Sequence, residues 1–156
     1  PSLQFEFGCW RAWLAGLFEG EGCISFTRNK SGCLLPRIII TNTNQAILET
    51  FHKKFGGSLR VRTLKDKPHW KPMWSWSLAN RQAITLLSKI VSKLRIKQNQ
   101  AILVFCFDAV RPKPGRGNSW NPDTAKFLEA QMHWLNKKGV HNEPEPVALL
   151  LNELGL

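Results

Sequence analysis

The spacing of apolar residues predicts helices and strands in the order α-β-β-α-β-β-α, followed by further helices. Apolar residues recur three and four positions apart in the helical segments and at every second position in the strands. Gly20 and Gly22 are expected to end the first helix, and Asn44 is expected to cap the second. The predicted helices are Phe7 to Phe18, Gln45 to Phe55, Arg81 to Leu94, Gln98 to Val110, Pro122 to Lys138 and Pro144 to Leu154, and the predicted strands are Cys23 to Arg28, Leu34 to Thr41, Ser58 to Leu64 and Met73 to Ala79.

Two antiparallel hairpins that share one apolar face and lie under helices indicate an α+β fold. No repeat or linker divides the 156 residues, which predicts a single domain over residues 1–156, with a core at about 7–110 and C-terminal helices at about 120–156. Several tryptophans fall at the positions of their elements that are expected to be buried, so they are expected in the core. The cysteines form no CxxC pair, so they are expected as small core residues of a protein from a reducing compartment. These residues are Trp10, Trp13, Trp74 and Trp76, and Cys9, Cys23, Cys33 and Cys106.

The charge is strongly positive and unevenly distributed. The chain has 22 Lys and Arg against 11 Asp and Glu, a net charge of +11. Residues 23–107 alone carry +13, whereas residues 1–22 carry −2 and residues 108–156 are balanced. Such an imbalance indicates a polyanionic partner, of which nucleic acid is the obvious example, although a solvated basic surface is the plainer alternative.

The strand faces that alternate with the apolar positions are polar and basic and contain no acid. Side chains of this kind contact phosphates and base edges, and a two-stranded β-ribbon fits the major groove of DNA. We therefore expect a DNA-binding face composed of Ser25, Thr27, Asn29, Lys30, Arg37, Ser58, Arg60, Arg62, Lys71, Ser75 and Ser77.

Other classes of site have little support. No apolar stretch reaches the roughly 18–20 residues of a membrane span, so no membrane partner is expected. No histidine and cysteine residues have the spacing of a zinc site, and no phosphate-binding glycine loop occurs.

The segment from Leu14 to Gly22, LAGLFEGEG, contradicts the usual rules for a helix end. Glu19 and Glu21 lie where the helix dipole is already negative, and three glycines lower the helix propensity. Ala12, Gly16 and Gly20 form a stripe of small residues that permits another helix to approach closely. Two such helices side by side would bring carboxylates together, as metal-dependent hydrolysis of a phosphodiester requires. An ordinary glycine-rich turn is the alternative interpretation.

This segment resembles the nine-residue signature of the LAGLIDADG homing endonucleases. Five positions match by identity and four by residue type, and the order of elements over residues 7–110 is also similar to that family. The resemblance implies a saddle-shaped antiparallel sheet that lies along DNA, with the signature helices packed at a two-fold axis. It also implies an intracellular protein of an organelle or a prokaryotic cytoplasm, encoded in a mobile element such as an intron.

The resemblance implies roles for individual residues. Glu21 matches the direct metal ligand, and the carbonyl of Gly20 matches a backbone ligand. Asn42 matches the residue that orders the attacking water, and Lys97 the peripheral catalytic lysine; a helix-capping Asn and a solvated Lys are the alternatives. Glu19 matches an acid that is usually structural. The implied cofactor is Mg²⁺ or Mn²⁺, with Ca²⁺ able to occupy the site without supporting cleavage.

A single copy of the signature is present, which in this family implies a homodimer. Its interface would contain Ala12, Trp13, Gly16 and Gly20, and its target would be a long, nearly palindromic duplex with half-sites about one helical turn apart. The sequence therefore favours a site-specific, metal-dependent double-strand DNA endonuclease. An RNA maturase of the same family, or a nucleic-acid-binding protein without cleavage activity, remains the alternative.

Overall fold

The computed structural model describes residues 9–63, 69–112 and 121–137. In these residues four strands form one antiparallel sheet, and five α-helices and one 3₁₀ turn accompany it. The elements are α1 Trp10–Glu21, β1 Gly22–Arg28, β2 Leu34–Asn42, α2 Gln45–Phe55, β3 Ser58–Arg62, β4 Met73–Ala79, α3 Asn80–Ile90, the 3₁₀ turn Val91–Lys93, α4 Gln98–Val110 and α5 Pro122–Leu135.

The two hairpins lie side by side in one sheet. The strand order is β1-β2-β4-β3, with every neighbouring pair antiparallel. The register places Ile24 of β1 opposite Ile38 of β2, and Ile38 opposite Leu78 of β4. These three side chains therefore point to the same side of the sheet and form an apolar strip across it. The predicted α+β fold with an antiparallel sheet is confirmed.

The hydrophobic core lies between this apolar side and the helices. Trp76 is fully buried at its centre and packs on Phe51 of α2, with ring centroids 5.3 Å apart. Its indole Nε1 donates a hydrogen bond to the carbonyl oxygen of Gly56 at 2.8 Å, so the one polar atom of the side chain has a partner. α5 adds Leu128 and Met132 to the same core.

The structure corrects several sequence predictions. α1 continues through Gly20 to Glu21 instead of ending at Phe18, because the glycine remains helical and only Gly22 is extended. α3 ends at Ile90 and continues as a 3₁₀ turn, and β3 ends at Arg62. The predicted helix Pro144 to Leu154, and the first residues predicted for α1, lie outside the described residues.

The predicted core cysteines and tryptophans were only partly correct. Cys106 is buried, but Cys9, Cys23 and Cys33 are exposed because they lie before α1, on the outward side of β1 and in a turn. Trp76 is fully buried, whereas Trp10 and Trp74 are half-buried and Trp13 is 39% exposed.

Within the part of the chain that the structure describes, no helix is long and apolar enough to cross a membrane.

Candidate active site

The acidic segment LAGLFEGEG forms the end of α1 and the start of β1. Gly22 is the C-cap of the helix and the first residue of the strand, with no loop between them. A Cβ at Gly22 would lie 2.5 Å from the carbonyl oxygen of Phe18 and 2.4 Å from its ring. Only glycine permits this close approach, and it places the last residues of the helix directly at the end of the sheet.

The carboxylate of Glu19 is held by backbone amides of the segment before α4. Its Oε1 accepts from the N–H groups of Arg95 and Lys97, both at 3.1 Å, and its Oε2 accepts from Ile96 N–H at 2.7 Å. Three charge-assisted bonds use most of the acceptor capacity of a carboxylate. Glu19 therefore fastens the segment 95–97 to the end of α1, which is a structural role.

Lys97 lies at the same helix end. Its Nζ donates to the backbone carbonyl oxygen of Glu19, one of the last carbonyls of α1 and without an intrahelical partner. Its charge also reaches Cys23 on β1: desolvation raises the pKa of that thiol, and the positive charge of Lys97 acts against the increase. The structure thus brings together Lys97 and the acidic segment, which are more than seventy residues apart in sequence.

Glu21 differs sharply from Glu19, two residues earlier. It is exposed, and among the described residues its carboxylate accepts no hydrogen bond and forms no ion pair. The Gly22 N–H donates to the carbonyl oxygen of Phe18 and the Lys97 ammonium to that of Glu19, whereas the carbonyl of Gly20 has no donor among the described residues. A carboxylate and a carbonyl at the negative end of a helix fit a hard divalent cation, which prefers oxygen ligands.

One chain supplies too few ligands for such an ion. No group of three or more histidine, cysteine, aspartate or glutamate side chains with the geometry of a metal site occurs in residues 9–63, 69–112 and 121–137. Mg²⁺ takes about six oxygen ligands and is commonly bound through one or two carboxylates together with waters and substrate phosphates. The residues at the end of α1 fit part of a shared site.

Asn42 is the last residue of β2 and is half-buried. The register pairs Gly22 with Ile40, so Asn42 lies at the sheet end where α1 joins β1. Its side-chain Oδ1 accepts from the N–H of Asn44 at 2.8 Å and helps to form the turn before α2. The amide nitrogen of the side chain is the part that could act on a solvent molecule.

The small-residue stripe of α1 faces outward. Ala12, Gly16 and Gly20 are exposed, while Leu14 and Phe18 on the opposite side of the helix are buried. A Cβ placed at Gly16 or at Gly20 would meet nothing within 4 Å, so packing within the described residues does not require glycine at either position. Each glycine costs the helix about 1 kcal/mol relative to alanine.

The outward side of the sheet holds most of the predicted basic face. The register aligns Ser25 with Arg37, Ser58 with Ser77 and Arg60 with Ser75, so these side chains project on one side. No acid lies on this side of the four strands. Thr27 and Arg62 complete the set of predicted residues that the strands place there.

The remaining predicted face residues have different surroundings. Ser77 is 8% exposed and its hydroxyl accepts from Arg37 at 3.4 Å. Asn29 lies in the turn after β1, where its Oδ1 accepts from the N–H groups of Ser31 and Cys33. Lys30 lies in that turn, and Lys71 lies just before β4. Both are exposed.

Sequence reasoning missed several residues on this side: Cys23, Leu35, Ile39, Thr41, Met73 and Ala79 share the outward face. In β2 the alternation of apolar and polar residues that marks the two faces of a strand is missing, because residues 38–40 are all isoleucine. Only the pairing with β1 and β4 identifies which of them face outward.

Comparison with solved structures identifies the fold. The homing endonuclease I-CvuI, in complex with its target in the presence of 2 mM Ca, superposes with a TM-score of 0.60 and 22% identity over 93% of this chain and 94% of that one. The archaeal intron-encoded homing endonuclease I-Vdi141I, complexed with DNA, superposes with a TM-score of 0.54 and 15% identity, over 93% of this chain and 96% of that one. The LAGLIDADG meganuclease I-CpaMI, bound to uncleaved DNA, superposes with a TM-score of 0.55 and 11% identity, over 92% of this chain and 49% of that one.

Sequence comparison is sparser. The probable intron-encoded endonuclease aI2 of Debaryomyces hansenii is 36% identical over 52 residues, which are 33% of this chain and 8% of that protein. The chain therefore matches less than a tenth of the length of this curated relative. No family model matches. The chain has the fold of the LAGLIDADG homing endonucleases, and the resemblance seen in its sequence is confirmed at that level.

Proposed function

We propose that the chain is a site-specific DNA endonuclease that acts as a homodimer and requires a divalent metal. The observation that carries this proposal is the contact between Lys97 and the carbonyl of Glu19. It places an ammonium group at the C-terminal end of α1, the helix end that also carries the exposed side chain of Glu21 and leads into the sheet. A cation and an unpaired acid at the edge of a basic surface are suited to hydrolysis of a phosphodiester.

The residues divide this work between them. Glu21 and the carbonyl of Gly20 would hold Mg²⁺, which when bound neutralises phosphate charge and lowers the pKa of a coordinated water. Lys97 donates to developing negative charge on the phosphate or orients solvent beside it. Asn42 would order a water through its side-chain amide nitrogen. Glu19 keeps Lys97 in place through the amides of residues 95–97.

Two features support dimerisation: the small number of ligands at the end of α1, and the exposed stripe of small residues on that helix. One chain provides a single free carboxylate at the helix end, and two strand breaks need two such sites. The exposed stripe of Ala12, Gly16 and Gly20, flanked by Trp13, permits the α1 helices of two copies to pack closely.

The outward side of the sheet would bind the duplex. Its arginines, serines and threonines suit phosphates and base edges, and the outward Leu35 and Ile39 suit the methyl group of thymine. Two sheets related by a two-fold axis would read half-sites about one helical turn, or about 10 base pairs, apart. We propose that the DNA-contacting residues are those predicted from the sequence. Ser77 would act mainly by positioning Arg37, and Asn29 by holding the turn between β1 and β2.

A cleavage selection tests the proposal. A plasmid library with a randomised insert is incubated with the purified protein and Mg²⁺, and linearised molecules are sequenced. We expect recovered sites with two-fold symmetry, no product in EDTA, and no product from Glu21→Gln although this variant still binds a recovered duplex. Glu49→Gln, the same change on α2, should cleave normally. Recovery of no site in Mg²⁺ or Mn²⁺, or normal cleavage by Glu21→Gln, would contradict the proposal.

A further inference from the structure

The C-terminal end of α5 contacts β1, which follows Glu21, and α4, which follows Lys97. Asn136, the C-cap of α5, donates from its side-chain Nδ2 to the carbonyl oxygen of Ile24 in β1 at 2.7 Å. Gln100, in the first turn of α4, donates from its Nε2 to the carbonyl oxygen of Leu135 at 3.2 Å. Leu135, the last residue of α5, and the C-cap Asn136 thereby connect α4 and β1.

The positions of the two contacts along the chain matter. Ile24 follows Glu21 by three residues, and Gln100 follows Lys97 by three residues. β1 is an edge strand, so its carbonyls on the side away from β2 have no neighbouring strand to bind. The bond from Asn136 fixes one of them, and Gln100 fixes the start of the helix whose N-cap is Lys97.

Stability alone does not explain Gln100. Its side chain is 7% exposed, and its Oε1 is buried with no hydrogen-bond partner among the described residues. An apolar residue of similar volume would avoid that cost but would take the donor from the carbonyl oxygen of Leu135, so the net gain in stability from the amide is small. A residue that violates local packing rules in this way is expected where geometry matters for function.

We propose that Asn136 and Gln100 are positioning residues of the active site, which together fix the separation of β1 and α4 and hence of Glu21 and Lys97. Glu19 fastens α1 to the segment 95–97 from one side, and the end of α5 fastens β1 to α4 from the other. The proposal rests on the endonuclease function, and it gives α5 a role that its sequence did not reveal.

Two variants and one control test it. Gln100→Leu removes the bond to Leu135 together with the unpaired oxygen, and Asn136→Asp replaces the donor to Ile24 by a carboxylate, which repels that carbonyl oxygen. Asn121→Ala is the control, because Asn121 caps the other end of α5 through the N–H of Asp123 and so weakens the same helix without touching either contact. The substrate is a duplex recovered from the randomised library by Mg²⁺-dependent cleavage.

The expected signature separates positioning from folding. Gln100→Leu should unfold at the same or a higher denaturant concentration than the parent chain, yet its single-turnover cleavage rate should fall about tenfold or more, since misplaced catalytic groups cost rate. Asn136→Asp should show a similar fall, Asn136→Gln should recover part of it, and the affinity for the duplex in Ca²⁺ should stay within about twofold because binding energy is retained. Asn121→Ala should be less stable but cleave at nearly the parental rate.

Amide hydrogen exchange provides a readout that does not depend on cleavage. Both variants should exchange faster than the parent at residues 95–97, and the control should not. Unchanged exchange there, unchanged cleavage rates, or an equal fall in rate for Asn121→Ala would overturn the positioning role. If the parent chain cleaves no duplex but exchange still changes, the bracing of β1 and α4 stands and the endonuclease function fails.

Discussion

Glu19 and Glu21 are two residues apart on one helix, and the structure predicts that their neutralisation has opposite effects on stability. Glu19 accepts three backbone N–H groups, whereas Glu21 is exposed and accepts none from the described residues. Both lie at the C-terminal end of α1, where the helix dipole disfavours negative charge. The perturbation is Glu→Gln at each position, which preserves the shape of the side chain.

The magnitude follows from counting the bonds. In Glu19→Gln the amide oxygen can retain the two bonds of Oε1, but the NH₂ group then faces the N–H of Ile96, and the 2.7 Å bond is lost. A hydrogen bond to a charged group contributes about 1.5–3 kcal/mol. Relief at the helix end offsets about 0.3–1 kcal/mol of this. The difference is about 0.5–2.7 kcal/mol, and because Glu19 is partly exposed we expect a net loss of about 1–2 kcal/mol.

Glu21→Gln loses no hydrogen bond within the described chain. Removal of its charge from the helix end should leave stability unchanged or raise it by up to about 1 kcal/mol. In a chain of this length, 1 kcal/mol shifts the melting temperature by about 2–4 °C, so the two variants should melt on opposite sides of the parent or nearly so.

The assay is denaturant unfolding and thermal melting of both variants without added metal, at one protein concentration because a dimer's apparent stability depends on concentration. Glu49→Gln controls for removal of a negative charge from a basic protein. Within the described part of the chain its carboxylate accepts a hydrogen bond from Gln45 alone, in an exposed pair on α2. Destabilisation of Glu21→Gln equal to that of Glu19→Gln would show that Glu21 has a structural partner, and the division of roles would be refuted. A neutral Glu19→Gln would show that the three amide bonds do not hold the segment 95–97.

Two further predictions concern assembly and DNA binding. Gly16→Leu should leave the subunit folded, because Gly16 is exposed and a Cβ there meets nothing within 4 Å. Sedimentation velocity should show monomers for this variant and dimers for the parent and for the exposed-helix control Ala130→Leu. A dimeric Gly16→Leu would exclude this face of α1 from the interface. Arg60→Gln, on the outward side of the sheet, should reduce the slope of log affinity for DNA against log salt concentration by about 0.9 per subunit, and thus by about 1.8 per dimer. The control Lys53→Gln, on α2, should leave this slope unchanged. An unchanged slope for Arg60→Gln would mean that the DNA binds elsewhere.

The sequence predicted the order of the elements, because the periods of 3.6 and 2 are local properties. The spacing of Ala12, Gly16 and Gly20 also predicted one stripe of small residues on α1, which the structure exposes. The resemblance to a known signature implied different roles for Glu19 and Glu21, and these roles stay predictions. It could not predict the outward face of β2, because a run of isoleucines has no alternation, and only strand pairing resolves it. The three amides that hold Glu19, and the contacts of Asn136 and Gln100, join segments distant in the chain. Such contacts depend on the packing of whole elements, and no local pattern encodes them.

The end of α1 is an electrostatic arrangement that is only half compensated. Two glutamates and the last carbonyls of the helix put negative charge at one point, and the chain neutralises the Glu19 side with three N–H groups and the ammonium of Lys97. The Glu21 side has no such compensation from the described residues, and it adjoins a sheet face on which no acid occurs. A DNA phosphate attracted to that face would meet the carboxylate of Glu21 as a like charge. In the proposed function, a divalent cation between them would remove this repulsion. The uncompensated charge of Glu21, which is unfavourable for the isolated chain, would then couple metal binding to the approach of DNA.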